Sequence, residues 1–528
     1  MATVAEVFST AVRDAGVGHV FGFPGGATVE LAERARLVDV EFVLAHSEWS
    51  AGYMAGMYGD LTGRPGVVLT TIGPGATNAV NATANALLDR SPMLTITGRH
   101  GLGSSTHAHQ RLNQVSILEP VTKWSTTIEA PAFADQLHRA LRIALAERPG
   151  PVHLDLPSDQ PHAATRGDAP AAVPCVRYGV PAGVEEAADR LRRARRPVVV
   201  AGYTALRHAG GDGLRRLIER WGIPFVTTPK AKGVVPESHP YWAGVVEMAG
   251  PHYMNEFVGQ ADLLIAAGLD AVELILPWKH RMPVVHVDPL PNTDGVYVSE
   301  LDLVGDIGGA LAAVAELAPE GPCWTEREIA AHRDEYVRRN VVPSDGLAPS
   351  RVVFAAREQL DEDALVISDV GSHKMLLGGL WRTERPRTFF MSNGLGTMGF
   401  SLPAAIAAQL VHPDRRVVSF VGDGGLAMVS GELGTAVDRG LPIVLVVFND
   451  RALDRILRKQ EAEGYPAIGT TFGNPDLVKL AEAHGAAGFR ARTEPEFRSA
   501  LEQALQTGGP ALVDAQIDTR EYQVQFSA

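Results

Sequence analysis

Short apolar runs alternate with helix-length amphipathic stretches along the whole chain. That alternation predicts βαβ units and parallel sheets rather than hairpins. A first set of strands is expected at 18–23, 40–45, 66–71, 93–98 and 150–157. A second is expected at 196–202, 223–228, 261–268 and 282–289. A third falls at 364–371, 387–392, 415–425, 441–450 and 510–518. Residues 161–183 lack periodicity and read as a linker, and VVPSDGLAPS (341–350) bridges to the last set. The expected fold is α/β, with doubly wound parallel sheets in three domains at 1–165, 180–335 and 345–528.

Composition agrees with this picture and narrows the function. At 528 residues the chain is too long for one core, and 45% hydrophobic with 21% charged residues is ordinary for a globular protein. A spread net charge of −13 argues against nucleic acid or an anionic membrane as the main partner. Cys175 and Cys323 are the only cysteines, so neither a disulfide framework nor a cysteine metal site is expected. The N-terminus reads as an amphipathic helix rather than a signal peptide, and no apolar run reaches membrane length. The expected location is the cytoplasm.

One stretch carries chemistry. VVSFVGDGG (417–425) ends a strand in glycines around Asp423, a helix is expected over 426–440, and IVLVVF then leads into Asn449-Asp450. In a βαβ unit both strands are parallel, so their C-terminal ends share one edge. If the strands are adjacent, Asp423 and Asp450 can meet there. Two carboxylates beside a glycine turn and a helix start suit Mg²⁺ or Ca²⁺ holding a phosphate or diphosphate. A turn in which Asp bonds its own backbone is the plainer alternative. GLGTMG (394–399) spells G-x-G-x-x-G but lacks the strand-to-helix setting and the later acidic residue of a dinucleotide site.

Beyond this stretch the chain resembles the thiamine-diphosphate (ThDP) superfamily of acetolactate synthases, pyruvate oxidases and 2-oxo acid decarboxylases. The GDG-to-Asn-Asp spacing looks like its cofactor fingerprint. VEFVLAHSEWSAGYMAGMYGDLTGRPGVVLTTIGPGATN (40–78) resembles its first-domain core, and HQRLNQVSILEPVTKW (109–124) a segment with an active-site Gln. ISDVGSHKM (367–375) and SNGLGTMGFSLPAAIAA (392–408) resemble its two cofactor-contacting turns. The likeness spans nearly the whole chain in family order.

The resemblance implies pyrimidine-binding, central and diphosphate-binding domains in that sequence. It implies that Glu48 hydrogen-bonds the aminopyrimidine of ThDP and drives formation of the ylid; without it, Glu48 is a carboxylate favoured at a helix N-terminus. Asp423, Asp450 and the carbonyl of Ala452 would hold Mg²⁺, with Asp450 a departure from the usual Asn. Gly371, Ser372, His373, Gly422, Gly424 and Gly425 would contact the diphosphate, and Asn78 would join the cofactor site. Met398 matches the apolar wedge that bends ThDP, and Gly396 accepts the pyrimidine through its backbone.

Substrate handling is implied more loosely. Gln110 aligns with the active-site Gln, with His109 and His100 (and His107 beside them) as acid–base groups or solvated loop residues. Lys459 stands where acetolactate synthases carry a substrate-selective Trp, Gln460 is next, Asp454 replaces a Gly, and Gly25 is a further substrate-side position. The basic residues of 450–466 form either a solvated face or a site for a dianionic substrate. LDAVELILPW (269–278) stands where flavin-using synthases carry an Arg-Phe-Asp-Asp-Arg stretch, which argues against FAD. The Gly-rich RHAGGDG (207–213) is either a relic nucleotide turn or a loop.

The implied reaction is decarboxylation of a 2-oxo acid followed by transfer of the enamine to a second carbonyl compound. Simple decarboxylation to an aldehyde is the alternative. A non-catalytic ThDP-binding scaffold and a nucleotide-binding regulator are rivals from other classes. A homodimer or homotetramer is expected, with active sites between the first domain of one copy and the third of another.

Overall fold

The computed structural model describes residues 1–105, 107–168, 176–317, 323–473 and 475–525. Each block carries one six-stranded sheet whose pairings are all parallel. In the first, β1 (His19–Gly22), β2 (Glu41–Leu44), β3 (Gly66–Thr70), β4 (Met93–Arg99), β5 (Trp124–Thr127) and β6 (Pro151–Pro157) lie in the order β2-β1-β3-β4-β6-β5. The second is built from β7 (Pro197–Ala201), β8 (Phe225–Thr227), β9 (Trp242–Val245), β10 (Leu263–Ala267), β11 (Val284–Asp288) and β12 (Leu301–Val304), in the order β12-β11-β10-β7-β8-β9. The third has β13 (Leu365–Ser368), β14 (Phe389–Met391), β15 (Val417–Gly422), β16 (Val444–Asn449), β17 (Ala487–Ala491) and β18 (Ala511–Gln516), in the order β14-β13-β15-β16-β18-β17.

The outer sheets share one strand order, and the central sheet has the other common doubly wound order, that of dinucleotide-binding folds. In each, crossovers leave in opposite directions from one pair of neighbouring strands. That pair is β1/β3, β7/β10 and β13/β15 respectively, and the strands' C-terminal ends open a crevice there. Strands β3, β6, β7, β10, β11, β13 and β16 are buried along their whole length, which is why they read as continuous apolar runs.

The chain folds into two compact units. One gathers Met1–Val176, Gly394–Asp414 and Ala427–Ile443; the other gathers Arg177–Asn393, Arg415–Leu426 and Val444–Ala528. Two segments of the third block thus fold with the first sheet, a division that no single set of linear boundaries expresses.

Three local expectations are corrected. The structure adds strands β5, β9, β12 and β17. The helix expected over 426–440 starts earlier, on Asp423 itself (Asp423–Val429), and a second, Glu432–Asp438, completes the stretch. RHAGGDG is mostly helical packing, for Gly211 opens the helix Gly211–Trp221 and a Cβ on Gly213 would collide with the backbone of Gly308. The start of the expected linker is tied down, with Val4 N donating to Ala163 O at 3.0 Å. Its residues 169–175, Cys175 included, lie outside the described residues. Among the described residues no helix is long and apolar enough to cross a membrane.

Candidate functional site

In the second unit the crevice between β13 and β15 is lined by bare backbone. Gly371 follows β13 with φ +154°, and a Cβ there would lie 2.9 Å from the His373 ring. A Cβ on Gly422, at the end of β15, would lie 3.4 Å from the same ring, and one on Gly425 would lie 3.0 Å from Asp369 Oδ2. Gly371 needs glycine for its positive φ and Gly425 for its close approach, whereas a Cβ on Gly422 would make an ordinary contact. His373 is buried and stacked on Phe448, with ring centroids 5.2 Å apart. Burial, then the charge of Lys374, pushes its imidazole down to about 3, so the ring is neutral. Its Nε2 is a buried polar atom with no hydrogen-bond partner among the described residues.

The neighbouring strand β16 brings the second acidic residue. Strands β15 and β16 pair directly, with Gly422 opposite Phe448, so Asp423 and Asp450 lie at the same edge. Asp423 Oδ1 accepts from Gly424 N at 2.7 Å, and Oδ2 accepts from Arg451 N at 2.6 Å. Asp450 Oδ1 accepts from Ala452 N at 3.0 Å. Burial pushes Asp423 up to about 6 against those amides. Burial, then the charges of Asp423 and Asp454, pushes Asp450 up to about 8. A buried Asp423 whose charge raises the half-buried Asp450 beside it is a pair of hard oxygen donors whose chemistry suits a divalent cation. Among the described residues no three His, Cys, Asp or Glu side chains converge as a metal cluster. The set expected here has only two carboxylates plus the backbone carbonyl of Ala452.

In the first unit Glu48 opens the helix Glu48–Thr62, whose N-cap Ser47 accepts from Ser50 N. Its carboxylate is buried and Oε2 accepts from Asn78 Nδ2 at 3.0 Å. The turn at the end of β3 closes over it, since a Cβ on Gly75 would lie 3.2 Å from Glu48 Oε1. Asn78 is therefore placed on the carboxylate. Gly25 lies at the β1 end of the same crevice, where a Cβ would collide with Thr71. The turn carrying Gly396 and Met398 also belongs to this unit. It is fixed by Thr397, whose Oγ1 lies 2.9 Å from Tyr53 OH and accepts from Asn81 Nδ2 at 3.2 Å. Gly396 has φ +66° and open space where a Cβ would stand; Met398 is half-buried.

The loop residues are less enclosed. Gln110 and His109 are exposed and His100 is half-exposed, its Nε2 on the carbonyl of His109. Gln110 has φ +59° and packs on Gly73, where a Cβ would lie 2.9 Å from its own Cβ. In the helix Asp454–Ala462, Gln460 is committed to the chain itself: Nε2 donates to Ile468 O at 3.0 Å and Oε1 accepts from Thr470 Oγ1 at 2.9 Å. Lys459 is exposed and 3.9 Å from Glu463, and Arg458 pairs with Asp454 at 2.9 Å and Glu461 at 2.6 Å. Much of that basic face is thus balanced by its own helix.

Models of the thiamine pyrophosphate enzyme family match the chain in order. The N-terminal TPP binding domain covers residues 2–117, the central domain 184–314 and the C-terminal TPP binding domain 369–515. The chain belongs to the thiamine pyrophosphate enzyme family. It is similar along its length to a probable acetolactate synthase large subunit of Methanocaldococcus jannaschii, 32% identical and covering 98% of this chain and 92% of that one. An acetolactate synthase of Bacillus subtilis is 30% identical, with 97% and 93% covered. Acetolactate synthase isozyme 2 large subunit of Escherichia coli is 32% identical, with 97% and 95% covered.

Thiamine diphosphate fits what the structure offers: glycine turns open to a diphosphate, an unpartnered His373 Nε2 and a buried carboxyl at Glu48. Two arrangements in this thiamine pyrophosphate enzyme escaped sequence reasoning. Ser372 Oγ donates to Asp454 Oδ2 at 2.7 Å, and the only signal was that Asp454 departs from a family Gly. Gln114, fully buried, accepts from Gly73 N at 3.1 Å and donates through Nε2 to Thr97 Oγ1, Gly98 O and Asp155 Oδ1, each at 2.8 Å. It ties the turn over Glu48 to β4 and β6, and no local pattern marks it.

Proposed function

We propose that this protein is a ThDP- and Mg²⁺-dependent carboligase that removes CO₂ from a 2-oxo acid and joins the remaining carbons to a second carbonyl compound. The pairing of Asp423 and Asp450 at one sheet edge, within a chain similar end to end to acetolactate synthases, carries this reading. When bound, ThDP supplies a carbon nucleophile for the 2-oxo carbonyl and holds the electron pair freed with CO₂. Glu48, whose carboxylate accepts from Asn78 and lies against the turn at Gly75, would exchange a proton with the pyrimidine. Asp423, Asp450 and the Ala452 carbonyl hold Mg²⁺, and His373 Nε2 with the backbone at Gly371, Ser372, Gly422, Gly424 and Gly425 holds the diphosphate. Met398 and Gly396 shape the pyrimidine side. Gln110, His109 and His100 face the substrates, with Lys459 at the acceptor side and Gly25 at the crevice mouth.

We assign residues 1–165, 180–335 and 345–528 to the pyrimidine-binding, central and diphosphate-binding roles, in a cytoplasmic homodimer or homotetramer. A second copy completes each site, so the isolated chain is inactive. Purified protein with ThDP and Mg²⁺ is offered a panel of 2-oxo acids, with and without an aldehyde acceptor, and Glu48→Gln as control. CO₂ release with a new C–C bonded hydroxyketone, absent in the control, confirms the proposal. Aldehyde alone makes the protein a decarboxylase. Bound ThDP without CO₂ from any donor refutes catalysis on this substrate class.

A further inference from the structure

The central sheet has the strand order of dinucleotide-binding folds, and its crevice between β7 and β10 is where a nucleotide diphosphate would lie. The chain fills that crevice itself. Glu273, fully buried, follows β10 and turns its carboxylate back between the two strand ends. It accepts from Tyr203 N at 3.1 and 3.0 Å, from Asp270 N at 3.1 Å and from the hydroxyl of Thr228. Those amides begin the loops after β7 and β10, the positions from which a diphosphate would be held.

Backbone packing leaves no room beside the carboxylate. A Cβ on Gly202 would collide with Gly268 O and Leu269 Cα and lie 2.8 Å from Glu273 Oε2. Gly268, at φ +62°, is as tightly placed against Ala205. A second buried carboxylate, Glu247, accepts from Ile275 N at 3.1 Å and Leu276 N at 2.7 Å, holding the 269–278 segment down across the strand ends. Farther from β7, Gly211 and Gly213 are held against the backbone of Val234 and Gly308 rather than lining the crevice.

We propose that Glu273 is a built-in substitute for a nucleotide diphosphate, and that the central domain binds neither FAD nor an adenine nucleotide. The closed crevice makes this domain a scaffold, and the inference stands whatever the reaction at the other two sheets.

The test uses the full chain saturated with ThDP and Mg²⁺, so that the diphosphate site elsewhere is blocked. Flavin is measured by fluorescence after heat denaturation, and binding of FAD and of ADP by equilibrium dialysis at millimolar concentration. The expected result is no released flavin and no saturable binding of either ligand. Flavin at a substantial fraction of one per chain, or saturable uptake of FAD or ADP, overturns the proposal. Glu273→Gln, which turns an amide N–H₂ toward donors, is expected to lower the thermal midpoint without gaining ligand binding. An unchanged midpoint would mean the carboxylate does not hold the crevice closed.

Discussion

Lys232 and Glu237 form an ion pair with both side chains wholly inaccessible to water. Lys232 Nζ lies 2.9 Å from each carboxylate oxygen and donates to Trp381 O at 2.8 Å, and Glu237 Oε2 also accepts from Thr383 N at 2.9 Å. Around them stand Trp242 and Phe389, with ring centres 5.9 and 5.4 Å from Nζ. Burial lowers the lysine and raises the glutamate, so each charge persists because the other is there. Replacing one partner strands a charge in an apolar site, at about 3–5 kcal/mol. Lys232→Met and Glu237→Leu are each expected to destabilise the protein by that amount, a large share of the roughly 5–15 kcal/mol typical of a domain.

The double variant behaves differently. Exchanging a buried pair for apolar side chains is neutral or stabilising by about 1–4 kcal/mol. Against this, the Trp381 carbonyl and the Thr383 amide lose their partners at about 1–3 kcal/mol each. At mid-range, about 2 kcal/mol gained against about 4 lost, the double variant should lie about 2 kcal/mol below the parent, giving a coupling energy of about 4 kcal/mol or more. Urea unfolding of the four proteins, followed by tryptophan fluorescence, measures it. Single variants costing under about 1 kcal/mol, or costs that simply add, would refute the reasoning. Trp381 closes the helix Ser372–Leu380, which begins at the proposed diphosphate turn, so the single variants should also weaken ThDP retention.

Asn78→Ala removes the hydrogen bond to Glu48 and, at about 1.5–3 kcal/mol for a bond to a charged group, should lower kcat/KM about ten- to a hundredfold with the fold intact by circular dichroism. Asp423→Asn should abolish the stabilisation that ThDP with Mg²⁺ gives the parent in a thermal melt, and EDTA should do the same to the parent. His153 bonds Thr97 Oγ1 at 2.8 Å and Ser125 Oγ at 2.7 Å, and burial depresses it from 6.5 to about 3. Its contribution is therefore full above about pH 6.5 and is lost as pH falls toward about 3, at about 1.4 kcal/mol per pH unit. The stability difference between the parent and His153→Gln should narrow by that amount per unit; a constant difference would show that His153 is not neutral in the fold.

The four strands that the apolar pattern missed are all at sheet edges. β5, β12 and β17 are half-exposed for most of their length, so no continuous apolar run announces them. β9 is buried, but WAGV is short and interrupted by a glycine. Interior strands were legible because helices cover both faces of a doubly wound sheet and force apolar residues at successive positions. The same logic divides the site residues. Glu48, Asp423 and Asp450 were readable because each ends a strand or starts a helix at a fixed spacing. Gln114 and Glu273 were not, because their partners come from distant segments that only the folded topology brings together.

Three sheets with three crevices raise the question of why only two would take part in chemistry. The crevices at β1/β3 and β13/β15 are bordered by Gly25, Gly73 and Gly75 in one unit and by Gly371, Gly422 and Gly425 in the other. The polar atoms there include His373 Nε2, which has no partner among the described residues, and Asp423 and Asp450, the first of which raises the second. The crevice at β7/β10 has comparable amides, but Glu273 takes them, and glycines at 202 and 268 let the backbone close. A buried donor left open costs free energy until something accepts from it. In the central sheet the chain supplies that acceptor, whereas at the outer sheets the proposed cofactor must. The dependence of stability on ThDP and Mg²⁺ should therefore be large, and that on any nucleotide should be nil.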